Sequence, residues 1–220
     1  CSTEDNAGNP ATASSIVRID RTAPTITLKK PSHASTSKQV NDITIETDDL
    51  STCEFSLRPD MLATSVRQMS SGNKKDHVQR VDFAFQDPKW DDNNPKTFTY
   101  FTRCTNSFGK TSPITSLVIT ADTTELSITE ISSSKPLFYV DDFANTITIR
   151  TNKEAICKYG DNIDGNFRTL PLEIADEYST VHTIQKDFSN GKHELAIDCQ
   201  DKSENTLPVS RSFAFELNVN

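Results

Sequence analysis

Two stretches of the chain align without a gap: Ile43 to Cys53 reads ITIETDDLSTC, and Ile147 to Cys157 reads ITIRTNKEAIC. Each is an alternating Ile-Thr-Ile run, a polar turn and a cysteine. Internal repetition constrains a fold strongly, because both copies must bury the same faces in the same way. Further on, TFTYFTRCTN closes an alternating run at Cys104, and KHELAIDCQD closes another at Cys199. A polar turn and a last alternating run follow each, ITSLVIT (114–120) and SFAFELNV (212–219).

The N-terminus has the same order of parts. Cys1, the turn STEDNAGNPAT, the run SSIVRID and the linker RTAPTITL line up with Cys104, its turn, its run and the linker ADTTELSIT. Cys1, Cys104 and Cys199 are separated by 103 and 95 residues. The reading is therefore a terminal strand segment of a preceding domain over 1–22 and two full units over 23–122 and 123–220.

Period-2 alternation bounded by Asp, Asn, Gly, Ser and Pro turns places strands in the first unit near 25–29, 42–47, 53–57, 78–85, 97–104 and 114–120. In the second unit they fall near 125–131, 146–151, 156–159, 180–185, 193–199 and 212–219, with a short addition at 170–174. Pro59 to Met69 reads as a turn or short helical insertion. Six or seven short strands per unit of about 100 residues indicate an all-β chain of tandem immunoglobulin-like, fibronectin-III-like sandwiches.

Composition agrees. Hydrophobic residues make up 34% of the 220 positions, which suits thin sandwiches whose strands hide alternate side chains. A formal charge of -8 argues against nucleic acid, which needs a basic patch. Lys29-Lys30 and Lys74-Lys75 read as solvated edges. No apolar run approaches the roughly 20 residues of a membrane-spanning helix.

Five cysteines are present, none in CxxC or zinc-finger spacing. Each unit has one cysteine at its third strand and one at the end of its sixth, and in this topology those strands are neighbours. Cys53–Cys104 and Cys157–Cys199 can each be bridged, giving one disulfide per unit; the alternative is four free thiols. Such bridges persist outside the cytoplasm, so the chain is expected to be extracellular or on a cell surface. Cys1 is left without a partner in its own chain. It is inter-domain, inter-chain or lipidated, and the run Ser14, Ser15, Ile16, Val17, Arg18, Ile19 is a candidate donated strand.

The pattern Cys1, Asp5-Asn6-Ala7-Gly8-Asn9, Ile16–Asp20, Thr22-Ala23-Pro24 and Ile26 resembles the tandem Ig-like, fibronectin-III-like repeats of bacterial or archaeal surface proteins. Ala155-Ile156-Cys157-Lys158-Tyr159, Phe167, Leu170 and Leu195–Asp201 echo a related signature. The resemblance implies spacers, adhesins or filament subunits whose partners are neighbouring copies or domains and, in some cases, a host or surface ligand. Two departures stand out: the insertion RPDMLATSVRQMSSGNKKD with the loop QDPKWDDNNPK, and the linker Ala121-Asp122-Thr123-Thr124, which lacks the TAP proline and is expected to hinge more freely.

The residues that could carry chemistry each have a plain reading beside them. Trp90 with Asp91 and Asp92 could form a ligand loop, or the indole could cap its own sandwich. Asp141-Asp142, Asp161 and Asp164 read as turn residues, and DNIDGN misses the EF-hand spacing. Asp20 and Asp122, at equivalent linker positions, are the candidates for calcium. The four histidines lack metal-site spacing; His182 and His193 read as a surface pair on adjacent strands. Met61 and Met69 should pack the insertion down. There is no G-x-S-x-G elbow, P-loop or Rossmann glycine pattern, and six glycines leave little to build one from. The expectation is a non-enzymatic structural repeat region of a fibre, pilus-like filament or adhesin stalk that needs no cofactor. The alternatives are a ligand- or glycan-binding module using loops 59–75 and 86–96, or accessory domains of a secreted enzyme.

Overall fold

The computed structural model describes residues 2–4, 6–12, 14, 21–87, 89–90, 94–134, 144–161, 167, 170–174 and 177–217. A hairpin opens the chain, β1 (Ser2–Glu4) against β2 (Pro10–Thr12), turning through Gly8 at a positive φ of 80°. Cys1, Ser15 to Ile19 and Asp20 lie outside the described residues; Ser14 is exposed and belongs to no strand.

The first sandwich runs β3 (Ile26–Lys30), a 3-10 turn at Ser32–Ala34, β4 (Ser35–Thr36), β5 (Val40–Thr47), β6 (Ser51–Ser56), β7 (Val66–Gln68), β8 (Asp76–Asp82), the short helix α1 (Phe83–Gln86), β9 (Lys96–Asn106) and β10 (Thr115–Ala121). One layer is β3-β5-β8 and the other β4-β10-β9-β6-β7, the two-layer arrangement of a fibronectin-III-like sandwich. Alternation puts Ile43, Ile45 and Thr47 of β5 inward, and the two isoleucines join Phe55, Tyr100 and Ile119 in the core. Tyr100 is fully buried, and its hydroxyl donates to Gln86 Oε1 at 2.8 Å.

The second sandwich contains β11 (Ile128–Ser133), β12 (Ala144–Gly160), β13 (Leu172–Glu173), β14 (Ser179–Asp187), β15 (Gly191–Asp201) and β16 (Arg211–Leu217). The runs expected at 146–151 and 156–159 are one strand. The first half of β12 pairs with β11 and β14, and the second half with β13 and β15, with the register broken between Arg150 and Ala155. A strand that changes layers at such a break serves both sheets. Ile147, Ile149, Cys157, Leu195 and Ile197 meet in its core.

Both disulfides form, Cys53–Cys104 and Cys157–Cys199. Each joins residues directly opposite on antiparallel strands of one sheet. The carbonyl of Cys53 accepts from Met69 N, and that of Cys157 from Ile174 N, so each turns its main chain away from its sulfur partner. Both are thus non-hydrogen-bonded pairs, the kind with the closer side chains; their Cα atoms are 4.1 and 4.0 Å apart.

Three expectations are corrected. Pro59 to Met69 is neither a plain turn nor a helix, because its end, β7, pairs with β6 as an edge strand. The run at 78–85 stops as a strand at Asp82, whose carboxylate caps α1 by accepting from Ala84 N and Phe85 N. His182 and His193 are no surface pair: His182 is buried opposite Ile149 in β12, and His193 lies opposite Phe215 in β16, on strands that are not neighbours. Met61 and Met69 are buried as expected.

Candidate functional site

The polar groups of the two sandwiches converge where the first ends and the second begins. β10 runs out at Ala121, and Asp122 N donates to Thr36 O at 2.9 Å. The Asp122 carboxylate accepts from Thr124 N and from Lys153 Nζ at 3.2 Å. Lys153 stands at the register break of β12; its ammonium also donates to Thr124 O at 2.6 Å and to Asp201 Oδ2 at 2.9 Å. The three side chains are 19%, 12% and 4% exposed, so the ammonium sits between two carboxylates mostly away from water.

Asp201 is fixed by its own turn. Its Oδ1 accepts from Ser203 N and Asn205 N, both at 2.9 Å, an aspartate turn of the usual kind. Asn205 Nδ2 reaches Asp201 Oδ2 and, across the junction, Asp122 O, at 2.9 Å each. The same turn touches the first sandwich through Ser203 Oγ on Ser35 Oγ and Glu204 Oε1 accepting from Ser32 Oγ at 3.1 Å. Tyr178 meets the His33 ring edge-on at 5.1 Å. Burial, aided by the Asp201 charge, holds its phenol above the ordinary tyrosine range.

Two expectations about the linker bear on this geometry. In the structure the cation beside Asp122 is the Lys153 ammonium. Among the described residues no cluster of three or more His, Cys, Asp or Glu side chains is placed to hold a metal. The linker without a proline is no bare hinge either, since main-chain and side-chain bonds tie it to both sandwiches.

The N-terminal end of the first sandwich is built alike with other charges. Thr47 Oγ1 donates to Asp49 O as Thr151 Oγ1 does to Lys153 O. Asn106 Oδ1 accepts from Phe108 N and Lys110 N, as Asp201 Oδ1 does from its own turn. Asn106 Nδ2 then donates to Asp49 Oδ2 and to Thr22 O, at 3.2 Å each. Asp49 and Asn106 stand where Lys153 and Asp201 stand in the second sandwich. The aligned repeat already set Asp49 against Lys153, but nothing linear pointed to Asp201 or Asn205 as their neighbours.

Trp90 packs on its own sandwich, its ring 6.4 Å from Phe83 and 6.3 Å from Phe98. Asp91, Asp92, Asp141, Asp142 and Asp164 lie outside the described residues.

His77 and His182 occupy matching positions, opposite Ile45 and Ile149, and are 0% and 2% exposed. His77 Nε2 lies 3.3 Å from Thr47 Oγ1, while its Nδ1 and both ring nitrogens of His182 are unpartnered. Burial lowers both imidazoles below the ordinary histidine range, and the Asp76 charge offsets part of this at His77. Burial favours the neutral rings in the fold, whereas the unfolded chain protonates at about pH 6.5. Stability is therefore full above that pH and falls as pH drops, until the folded rings themselves titrate. His182→Leu removes unpartnered nitrogens and should raise the stability of the second sandwich by about 1 kcal/mol. Urea curves at about pH 7 and about pH 5 should then differ less than in the wild type; an unchanged difference would place the acid sensitivity elsewhere.

No protein-family model matches the chain, and no curated protein matches it. Among solved structures it is similar to the fibronectin(III)-like modules of CbhA from Clostridium thermocellum, with 14% identity and a TM-score of 0.47 over 89% of this chain and 95% of that one. It is similar to the FN1–FN3 domains of chicken CNTN1, with 13% identity and a TM-score of 0.48 over 99% of this chain and 74% of that one. A glycoside hydrolase domain, Endo-D from Streptococcus pneumoniae R6, has 8% identity and a TM-score of 0.35 over 80% of this chain and 31% of that one. All three scores lie below one half, so the fold is read from strand order and not from these likenesses.

Proposed function

We propose that the chain is a non-catalytic, load-bearing spacer of an extracellular surface protein, part of a fibre or adhesin stalk. Its units are 23–122 and 123–220, and residues 1–22 are the closing hairpin and strand of a preceding like unit or a strand donated to a neighbouring copy. Hairpin pairing supports this division. Ser2, one residue past Cys1, pairs with Thr12, just as Thr105 and Gln200, one past their cysteines, pair with Thr111 and Thr206.

The observation that carries the reading is the Asp122–Lys153–Asp201 junction, which joins two disulfide-closed sandwiches through buried polar bonds where a flexible linker would transmit no orientation. The bridges limit extension under load, because the 51 and 42 residues of sequence separation they span cannot be pulled straight. Persistence of such bridges outside the cytoplasm supports the location.

Single-molecule force spectroscopy tests it. Reduction should lengthen the contour released per unfolding event by about 17 nm for the first sandwich and about 14 nm for the second, from separations of 51 and 42 residues. Unchanged increments, or release at forces too low to measure, would end the load-bearing reading.

A further inference from the structure

The first sandwich is open along one side. β7 ends the five-stranded layer, β8 ends the three-stranded one, and the two edges meet at a single bridge, Ser70 opposite Val78. Beyond it they part around a cavity of about 990 Å³ that runs to Leu57 and Phe85. The sequence insertion builds one wall of this groove, Val66 and Arg67, and α1 sets Phe85 and Gln86 along its far end.

The main chain of both walls is set for another strand. Ser70 and Val78 exchange both of their N–H···O bonds, so Val78 turns its main chain toward the groove and away from β5. Antiparallel alternation turns Arg80 and Asp82 the same way. On β7, Met69 N donates to Cys53 O, so Arg67 faces β6 while Val66 and Gln68 face outward. The Arg80 carbonyl takes a side-chain amide from its neighbour Gln79, at 2.8 Å. Two unpaired edges facing one slot form a template for strand addition.

Side chains determine what kind of strand fits. Arg58, Arg67 and Arg80 line the groove, with Asp82 as the one lining carboxylate, already engaged in capping α1. Arg58 pairs with Asp60, and Arg80 lies 3.9 Å from Asp42, but their side chains are 64% and 74% exposed, and pairs so open to water hold weakly and exchange readily. This concentration of cations stands out on a chain of net charge -8. At the open end Phe85 is 85% exposed and Leu57 55% exposed, an apolar surface with nothing over it among the described residues.

We propose that this groove binds an extended acidic polypeptide segment, added as a strand between the edges of β7 and β8, with carboxylates on Arg58, Arg67 and Arg80 and an apolar side chain over Leu57 and Phe85. An anionic glycan would satisfy the arginines but could not pair, strand to strand, with the outward-facing main chain of β7 and β8, so a polypeptide fits the site better.

Fluorescence anisotropy of the whole chain with a labelled peptide alternating glutamate and valine tests this. The peptide should bind, the lysine–valine counterpart should not, and Arg67→Glu/Arg80→Glu should raise Kd by about tenfold or more. Both arginines are at the surface, and an unchanged circular dichroism spectrum confirms that the variant folds. Independently, hydrogen exchange at Val66, Gln68, Arg80 and Asp82 should slow when the peptide is added. Equal binding of both peptides, no binding, an unchanged Kd in the variant, unprotected edge amides, or binding of a heparin oligosaccharide in place of the peptide would each overturn the assignment.

Discussion

Replacing Cys157 and Cys199 together by alanine should lower the stability of the second sandwich by about 4 kcal/mol, the loop-closure entropy that a bridge of this span withholds from the unfolded chain. The two residues are 42 apart in sequence, and their strands already hold them opposite each other. The bridge therefore acts chiefly on the unfolded state, and its loss should leave the strand pairing intact. Against a typical domain stability of about 5–15 kcal/mol, the change is large.

One residue makes the experiment selective. Trp90 is the sole tryptophan and packs on the first sandwich, so its fluorescence follows that sandwich alone, whereas circular dichroism follows both. In the Cys157→Ala/Cys199→Ala variant the dichroism curve should divide into two transitions, with the tryptophan transition staying near its wild-type midpoint. Coincident curves, or a stability change below about 1 kcal/mol, would show that the bridge does not constrain the chain as argued.

Lys153→Met should cost about 3 kcal/mol, the penalty for leaving buried charge without its partner. The ammonium is the only cation that the described structure places between Asp122 and Asp201, and removing it leaves two mostly buried carboxylates, Asp201 with the amide of Asn205 and Asp122 with the main-chain N–H of Thr124. The loss should also reach the junction, since Lys153 Nζ holds the Thr124 carbonyl of the linker. Small-angle scattering should then report a wider spread of inter-sandwich distances than in the wild type. Adding Asp201→Asn to Lys153→Met removes one of the opposed charges and should recover part of the stability. If neither stability nor scattering changes in Lys153→Met, the junction is held without the ammonium, by bonds such as those of Asn205, Ser203 and the Asp122 main chain.

Much of the architecture was legible because a sandwich repeats a simple rule. Alternation in ITIETDDLSTC and ITIRTNKEAIC marked buried strands, and the cysteine spacing marked neighbours, so the two bridges could be assigned before any coordinates. Legibility failed where a local signal had two outcomes. Val66–Gln68 looks like loop because a short edge strand has little apolar patterning. The run through Phe83 is broken by the cap at Asp82, a feature set by one side chain. β12 reads as two strands because it crosses between layers at Asn152 and Lys153.

The candidate sites were less legible, for the same kind of reason. Asp122 reads from the sequence as a calcium candidate in the linker, and the cation beside it in the structure comes from a lysine 31 residues away. His182 reads as a surface residue because an imidazole between Val181 and Thr183 carries no apolar signal of its own; its face is the inner one, shared with Ile184.

Alternation and the recurrence of cysteines by themselves determined most of the core strands, the sandwich class and which thiols could meet, since these depend on local periodicity and chain spacing. Tertiary structure alone decided that Lys153 lies between Asp122 and Asp201, that two histidines are buried without full hydrogen bonding, and that Arg58, Arg67 and Arg80 border one open slot. Each of these is a matter of which distant segments the folded sheets bring within a few ångströms, and no pattern along the chain encodes that distance.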